Sequence, residues 1–340
     1  MHQNEFCKNF NLLSYVERNP TAINCFSVDL AYSSFIFRDA GIIEFKPKKT
    51  SNTYLILSAG IHGNETAPME ILSAMVSKLA NAQLALQVNL LIIIGNPLAM
   101  VKQTRFLEFN LNRLFNGEWK NYLAEHPESY EVQRAERIEK AVDAFFSQGS
   151  PGSKKIHYDL HTAIRPSKYK RFAIYPYLHE RKHNQEQLNF LAHCGIDTSL
   201  LYHKPSSTFS YHTSYNYKAD AFTLELGKVE RFGENNMQDF ELAIKGLNEL
   251  VSGNYQFSAQ PRGNTKLNLY TVKDEIVRHS EHSKLNIADD VENFTPLKAG
   301  DELLYDPQKP YIISSSQHRI VFPNNKVPVG QRMALIIEPL

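Results

Sequence analysis

The chain has 340 residues, 42% of them hydrophobic and 21% charged, and its 37 Lys and Arg against 36 Asp and Glu leave a net charge of +1. That length supplies a large core and predicts two domains, or one large domain with an appendage. The near-neutral balance excludes a broad electrostatic attraction to nucleic acid or anionic lipid, so any pull on an acidic ligand must come from a few locally placed arginines.

Cys7, Cys25 and Cys194 are too few and too widely spaced for a secreted disulfide framework, and are expected as reduced, mostly packing thiols. The N-terminus lacks the basic and apolar regions of a signal peptide, and the longest apolar run, residues 90–94, is too short to span a bilayer. The expectation is a cytoplasmic protein.

Along the chain, Tyr54-Leu55-Ile56-Leu57 and the run from Val88 to Ile94 read as strands buried on both faces. Between them Ile71, Leu72, Met75, Val76 and Leu79 recur at helical spacing, with Pro68 in the first turn, completing a strand–helix–strand unit. Ala135, Ile138, Val142 and Phe145 mark a further amphipathic helix, and His157 to His161 a strand. Phe190, Leu191 and Cys194 fall on a helix, Phe222 to Leu226 on a strand, and Phe240, Ile244, Leu247 and Val251 on a helix ending near Gly253. Beyond residue 253 short extended runs at Leu267–Val272, Tyr311–Ser314 and Met333–Ile337 alternate with turns. This predicts an α/β domain over residues 1–253 and a smaller β-rich domain over 254–340.

Four segments carry chemistry. His62 and Glu65 stand three residues apart just after the first buried strand, at the sheet edge where ligands of open α/β sheets collect. Imidazole and carboxylate are good zinc donors, although an isolated His-x-x-Glu is also a common capping or surface pair. His161 ends a later strand, and Asp159, two residues earlier, shares its strand face and could orient the imidazole. Glu225 is a lone carboxylate between apolar residues on a strand. It is either a buried general base or an edge residue paired with Lys228 or Arg231. In the segment that opens at Thr104-Arg105-Phe106, the pair Asn112-Arg113 could bind a carboxylate through the guanidinium fork and the amide, and Arg165 beyond His161 is a further candidate. His179, His183, His203 and His212 are expected as surface or structural residues.

The segments GIHGNETAP, FNLNRLF, YDLHTAIR and LELGKVE, taken in this order, resemble the zinc carboxypeptidase superfamily. Within it they resemble the succinylglutamate desuccinylase and aspartoacylase branch, and DLHTAIR with TRFLEFNLNRLF leans toward its desuccinylase side. The resemblance implies a zinc-carboxypeptidase-like mixed α/β sheet flanked by helices, followed by a smaller C-terminal β-rich domain. It implies one Zn2+ per chain on His62, Glu65 and His161, with Glu225 as general base and Arg105 supporting the oxyanion. Asn112, Arg113 and Arg165 would hold substrate carboxylates.

The implied reaction is hydrolysis of N-succinyl-L-glutamate to L-glutamate and succinate, the last step of arginine breakdown by the succinyltransferase route. An N-acyl-aspartate hydrolase, a metallocarboxypeptidase and a non-catalytic zinc scaffold are the alternatives. The expected partner is a small acidic N-acyl amino acid, with no nucleic acid and no membrane, and homo-oligomerisation is left open.

Overall fold

A computed structural model describes residues 10–23, 25–260 and 267–340. A short helix, α1 (Leu12–Arg18), precedes the antiparallel strands β1 (Phe26–Asp29), β2 (Ser33–Asp39) and β3 (Ile42–Pro47). The α/β series then runs β4 (Thr53–Ala59), α2 (Thr66–Ala80), β5 (Asn89–Ile94), α3 (Pro97–Val101), α4 (Lys120–Leu123), α5 (Tyr130–Phe146) and β6 (Lys154–Ala163). It continues with β7 (Phe172–Tyr175), α6 (Gln185–His193), β8 (Thr198–Leu201), α7 (Phe209–Tyr217), β9 (Asp220–Lys228) and α8 (Glu241–Val251). The remainder is β: β10 (Asn268–Val277), β11 (Lys284–Leu285), β12 (Thr295–Pro296), β13 (Glu302–Tyr305), β14 (Tyr311–Ile312), β15 (Arg319–Val321) and β16 (Arg332–Pro339).

One mixed sheet of 13 strands, in the order β1-β2-β3-β5-β4-β6-β9-β7-β8-β10-β16-β15-β12, carries almost all of this. Its centre is parallel, with β5, β4, β6 and β9 running together. Both faces are covered, which is why the central strands read as continuous apolar runs instead of alternating ones. The period of two still sorts the side chains. Leu55, Leu57, Tyr158, Leu160, Phe222 and Leu224 pack with α2, α6 and α8 on one face. Tyr54, Ile56, Leu91 and Ile93 pack with Val132, Ile138, Val142 and Phe145 of α5 and with Phe209 of α7 on the other.

The texture of the sequence changes where α8 ends, yet the sheet runs across that point, because β10 pairs in parallel with β8. Phe172 and Leu200 of the α/β part share a core with Tyr270, Val272, Leu335 and Ile337 of the β part. A separate small sheet, β11-β13-β14, shares an apolar cluster with Ile276 of β10, Ile320 of β15 and Met333, Ala334 and Ile336 of β16. No helix among the described residues is long and apolar enough to cross a membrane. Of the cysteines, Cys25 is exposed, Cys194 is buried, and Cys7 lies outside the described residues.

Candidate active site

The C-terminal ends of β4, β6 and β9 deliver the predicted residues to one place. Ser58 of β4 is registered with Asp159 of β6, and His161 of β6 with Glu225 of β9, so these side chains stand level on the face toward α7. The loop after β4 carries His62 and Glu65, and α2 begins directly after it. That loop turns where a side chain could not: a Cβ on Gly63 would sit 2.2 Å from the carbonyl carbon of Ala99 and 2.3 Å from the nitrogen of Met100.

His62, Glu65 and His161 are all buried, and one potential ligand atom from each lies within 4.8 Å of the others. Both imidazoles point Nδ1 at the same carboxylate, His62 at 2.8 Å from Glu65 Oε1 and His161 at 2.8 Å from Oε2. Their other nitrogens are committed elsewhere. His62 Nε2 lies 3.0 Å from Asn110 Oδ1, and His161 Nε2 lies 2.8 Å from Asp159 Oδ2. With a cation between the rings and Glu65, an Nε2–H donated to each oxygen would leave both Nδ1 lone pairs for the ion, which is how metal-binding histidines are oriented.

Asp159 is itself held by Ser58, whose Oγ lies 2.6 Å from its Oδ1. Ser58 Oγ also lies 2.8 Å from His157 Nε2, and His157 Nδ1 lies 2.8 Å from the hydroxyl of Thr213 on α7. A buried polar chain therefore runs from α7 to the back of His161, with its members paired at each step.

Burial, with Arg105 adding to it, lowers the pKa of His62 to about 4, which favours the neutral imidazole that a metal requires. Burial alone would also lower that of His161, but the carboxylates of Asp159 and Glu65 outweigh it and hold the ring well above its ordinary value. Two imidazoles and one carboxylate fit zinc with an open position.

Glu225 is buried on β9, an interior strand between β6 and β7, which removes the edge-strand alternative. Lys228 pairs with Glu230 instead. Burial raises the carboxyl of Glu225 to about 7; His161 opposes the shift, and the nearby Glu65 charge adds to it. Its Oε2 is buried with no hydrogen-bond partner, an orphaned acceptor of the kind a water or cation beside the three ligands would satisfy.

These residues open into a cavity of about 430 Å³ whose lining includes Arg105, Asn112, Arg113 and Arg332. Arg105, about one-third exposed, donates from Nη1 to Glu65 Oε1 at 2.7 Å. Asn112 accepts the N–H of Phe209 at 2.9 Å through Oδ1, so its NH2 is the group it can offer a ligand. Burial, with Arg332 and Arg105 nearby, presses the pKa of Arg113 below its ordinary range. Two guanidiniums from opposite parts of the chain thus face one space. Glu275, a carboxylate on the cavity wall, is engaged by Lys204 at 2.7 Å and by the hydroxyl of Tyr202.

Arg165 does not line this cavity; it donates to the carbonyl of Asp289. The chain leaves β6 immediately after Ala163, so proximity to His161 in sequence does not persist in space. His179, His183, His203 and His212 do not line the cavity either, and His212 is buried rather than at the surface. Asn110, Tyr202, Glu275 and Arg332 were not singled out by sequence. Asn110 had a faint signal, since it caps the short 3-10 turn that presents Asn112. Arg332 had none, because its position depends on how β16 pairs with β10.

Comparison with known proteins identifies the family. The family described as the succinylglutamate desuccinylase/aspartoacylase catalytic domain matches residues 51–251, and the AstE/AspA barrel-sandwich hybrid domain matches residues 265–340. Succinylglutamate desuccinylase of Shewanella denitrificans is 41% identical, over 99% of this chain and 98% of its own length. That of Shewanella woodyi is 44% identical over 88% and 86%.

Among solved structures, succinylglutamate desuccinylase of Vibrio parahaemolyticus superposes with a TM-score of 0.87 at 31% identity, covering 97% of this chain and 95% of that one. The Chromobacterium violaceum enzyme gives 0.83 at 37% identity, covering 97% and 98%. The fold, the order of the site segments and these similarities lead to one conclusion: the chain belongs to the succinylglutamate desuccinylase/aspartoacylase family.

Proposed function

We propose that the protein is a zinc-dependent amide hydrolase that converts N-succinyl-L-glutamate and water to L-glutamate and succinate, the closing step of arginine catabolism by the succinyltransferase route. The observation that carries the reading is the pairing of a three-donor cluster with a partnerless buried carboxylate, Glu225, in a cavity walled by guanidinium groups. A structural zinc site would have four protein ligands and no poised base, so the scaffold alternative does not fit.

His62, Glu65 and His161 would hold the metal. When bound, zinc polarises the amide carbonyl and lowers the pKa of a water to about 7. Glu225 takes a proton from the attacking water and passes it to the glutamate nitrogen as the carbon–nitrogen bond breaks, so one water is divided between the two products. Without metal, burial raises this carboxyl to about 7, and a cation bound beside it would lower that value toward a base ready to accept a proton. Arg105 shares the oxyanion charge, a contribution of about 3–4 kcal/mol for a preorganised donor.

N-succinyl-L-glutamate carries three carboxylates, and the cavity supplies Asn112, Arg113 and Arg332 to receive them. A protein of near-zero net charge can still focus its field locally, where guanidinium groups line a cleft. The N-acyl-aspartate alternative shares the metal site and differs in what fills the cavity. Parallel assays on N-succinyl-L-glutamate and N-acetyl-L-aspartate separate the two: faster turnover of the first supports the proposal, and turnover of the second alone overturns the substrate.

A further inference from the structure

Glu131 is fully buried in the first turn of α5, and no ion pair to it is found among the described residues. A carboxylate taken out of water needs strong donors, and the helix N-terminus supplies only part of that need. The rest comes from one strip of chain. Oε1 of Glu131 accepts the N–H of Leu107 at 2.7 Å and the amide of Asn96 at 3.1 Å, and Oε2 accepts the N–H of Glu108 at 3.4 Å.

Those two backbone donors lie two and three residues after Arg105. The same strip is fastened on its other side. Thr104 donates to the carbonyl of Ala99 at 3.0 Å, and the carbonyl of Arg105 accepts the N–H of Gly63 at 3.1 Å. Asn96 links the two anchors, since its Oδ1 caps α3 at Ala99 while its amide bonds Glu131. The backbone of Arg105 is therefore clamped between the loop that bears His62 and Glu65 and a carboxylate projecting from α5. In this clamped arrangement the guanidinium reaches Glu65 at 2.7 Å.

We infer that Glu131 is a positioning residue for Arg105: it fixes residues 104–108 so that the guanidinium stands over the metal-ligand side of the cavity before substrate arrives. The inference rests on the hydrolytic reading above, in which Arg105 supports the oxyanion. Misplacing such a group by an ångström can cost about 100-fold in rate.

The test compares Glu131→Met with Glu131→Gln in zinc-loaded protein, well below the melting temperature. Gln keeps an oxygen for Leu107 and Asn96, whereas Met fills the space and keeps no acceptor. The expected result is a kcat about 100-fold lower for Glu131→Met, with KM changed less than about threefold, and recovery to within about fivefold in Glu131→Gln. In an Arg105→Ala background the Met substitution should cause no further loss, because the two residues act as one unit.

A Glu131→Met enzyme with wild-type kcat and only a lower melting temperature would overturn the inference, as would losses that multiply in the Arg105→Ala background. If Glu131→Met does not fold, Glu131→Asp, which withdraws the carboxylate by one methylene, enters the same double-mutant comparison with the same expected and contrary results. Wild-type protein inactive on N-succinyl-L-glutamate would overturn the functional reading itself, and is recognised before any variant is measured.

Discussion

Asp159 Oδ2 stands 2.8 Å from His161 Nε2, on the side of the ring opposite the nitrogen that meets Glu65. The carboxylate fixes which nitrogen carries the proton and raises the basicity of the other. Asp159→Asn keeps the shape and removes the charge, and should weaken zinc binding about 10–100-fold, as outer partners of metal-binding histidines generally do. Competition against a chromophoric chelator measures this, and an unchanged affinity would show that the Asp159 charge does not set the ring's basicity.

Glu225 is held protonated more readily in the fold than in the unfolded chain, because burial raises it to about 7. A carboxyl shifted upward destabilises the fold as pH rises from its unfolded value toward its folded one, and the penalty is complete above about 7. Glu225→Gln should therefore stabilise the metal-free protein, by up to about 3 kcal/mol at pH 8 and by less at pH 5.5. The same variant should bind zinc and lose turnover by orders of magnitude. Thermal melts of the stripped protein at both pH values, beside rates of the zinc-loaded protein, check the two halves separately.

Arg332 and Arg165 provide a contrast within one residue type. Arg332→Gln removes a cavity guanidinium and should raise KM for N-succinyl-L-glutamate by about tenfold or more, the value of a charged hydrogen bond. Arg165→Gln removes a group bonded to the Asp289 carbonyl outside the cavity and should leave KM within about twofold. Steady-state kinetics on the two variants decide the matter, and a reversed ranking would move the anion site to the other side of β6.

Gly63 is the tightest point of the metal loop, packed on the backbone of Ala99 and Met100. An added methyl has no flexible side chain to displace, so Gly63→Ala should destabilise the protein by about 1–3 kcal/mol. It should weaken zinc binding as well, because the loop must lift off α3. Chemical denaturation with and without zinc would reveal both, and a variant with wild-type stability would mean that the loop yields at little cost.

How much of this was legible in the sequence depended on how local each determinant is. His62, Glu65, Asp159, His161 and Glu225 stood out because each lies on, or in the loop after, a strand whose apolar run announces it, and the resemblance of their motifs to a known family supplied the roles. The fold class followed from the same runs. The strands β1 to β3 and the four-residue β7 and β8 were not anticipated, being short or mixed in polarity, with their pairing supplied by distant partners. Helix α7 was missed because its buried face is built largely from Ser210, Tyr211, His212, Thr213 and Ser214, which leave no apolar stripe.

The arginines show the limit most clearly. Arg165 looked close to the site along the chain and is not, whereas Arg332 lies far away in sequence and lines the cavity. Adjacency to a motif says little about a long side chain at a turn, and no local pattern reports a contact made by antiparallel pairing of β16 with β10.

The central claim is metal-dependent hydrolysis of an acidic N-acyl amino acid, and the most direct measurement is glutamate release from N-succinyl-L-glutamate by the purified protein. Release is followed as isolated, after chelation, and after zinc is restored. The account predicts turnover that disappears on chelation and returns with zinc. Turnover that survives complete removal of metal, or folded zinc-loaded protein that releases no glutamate, would contradict it.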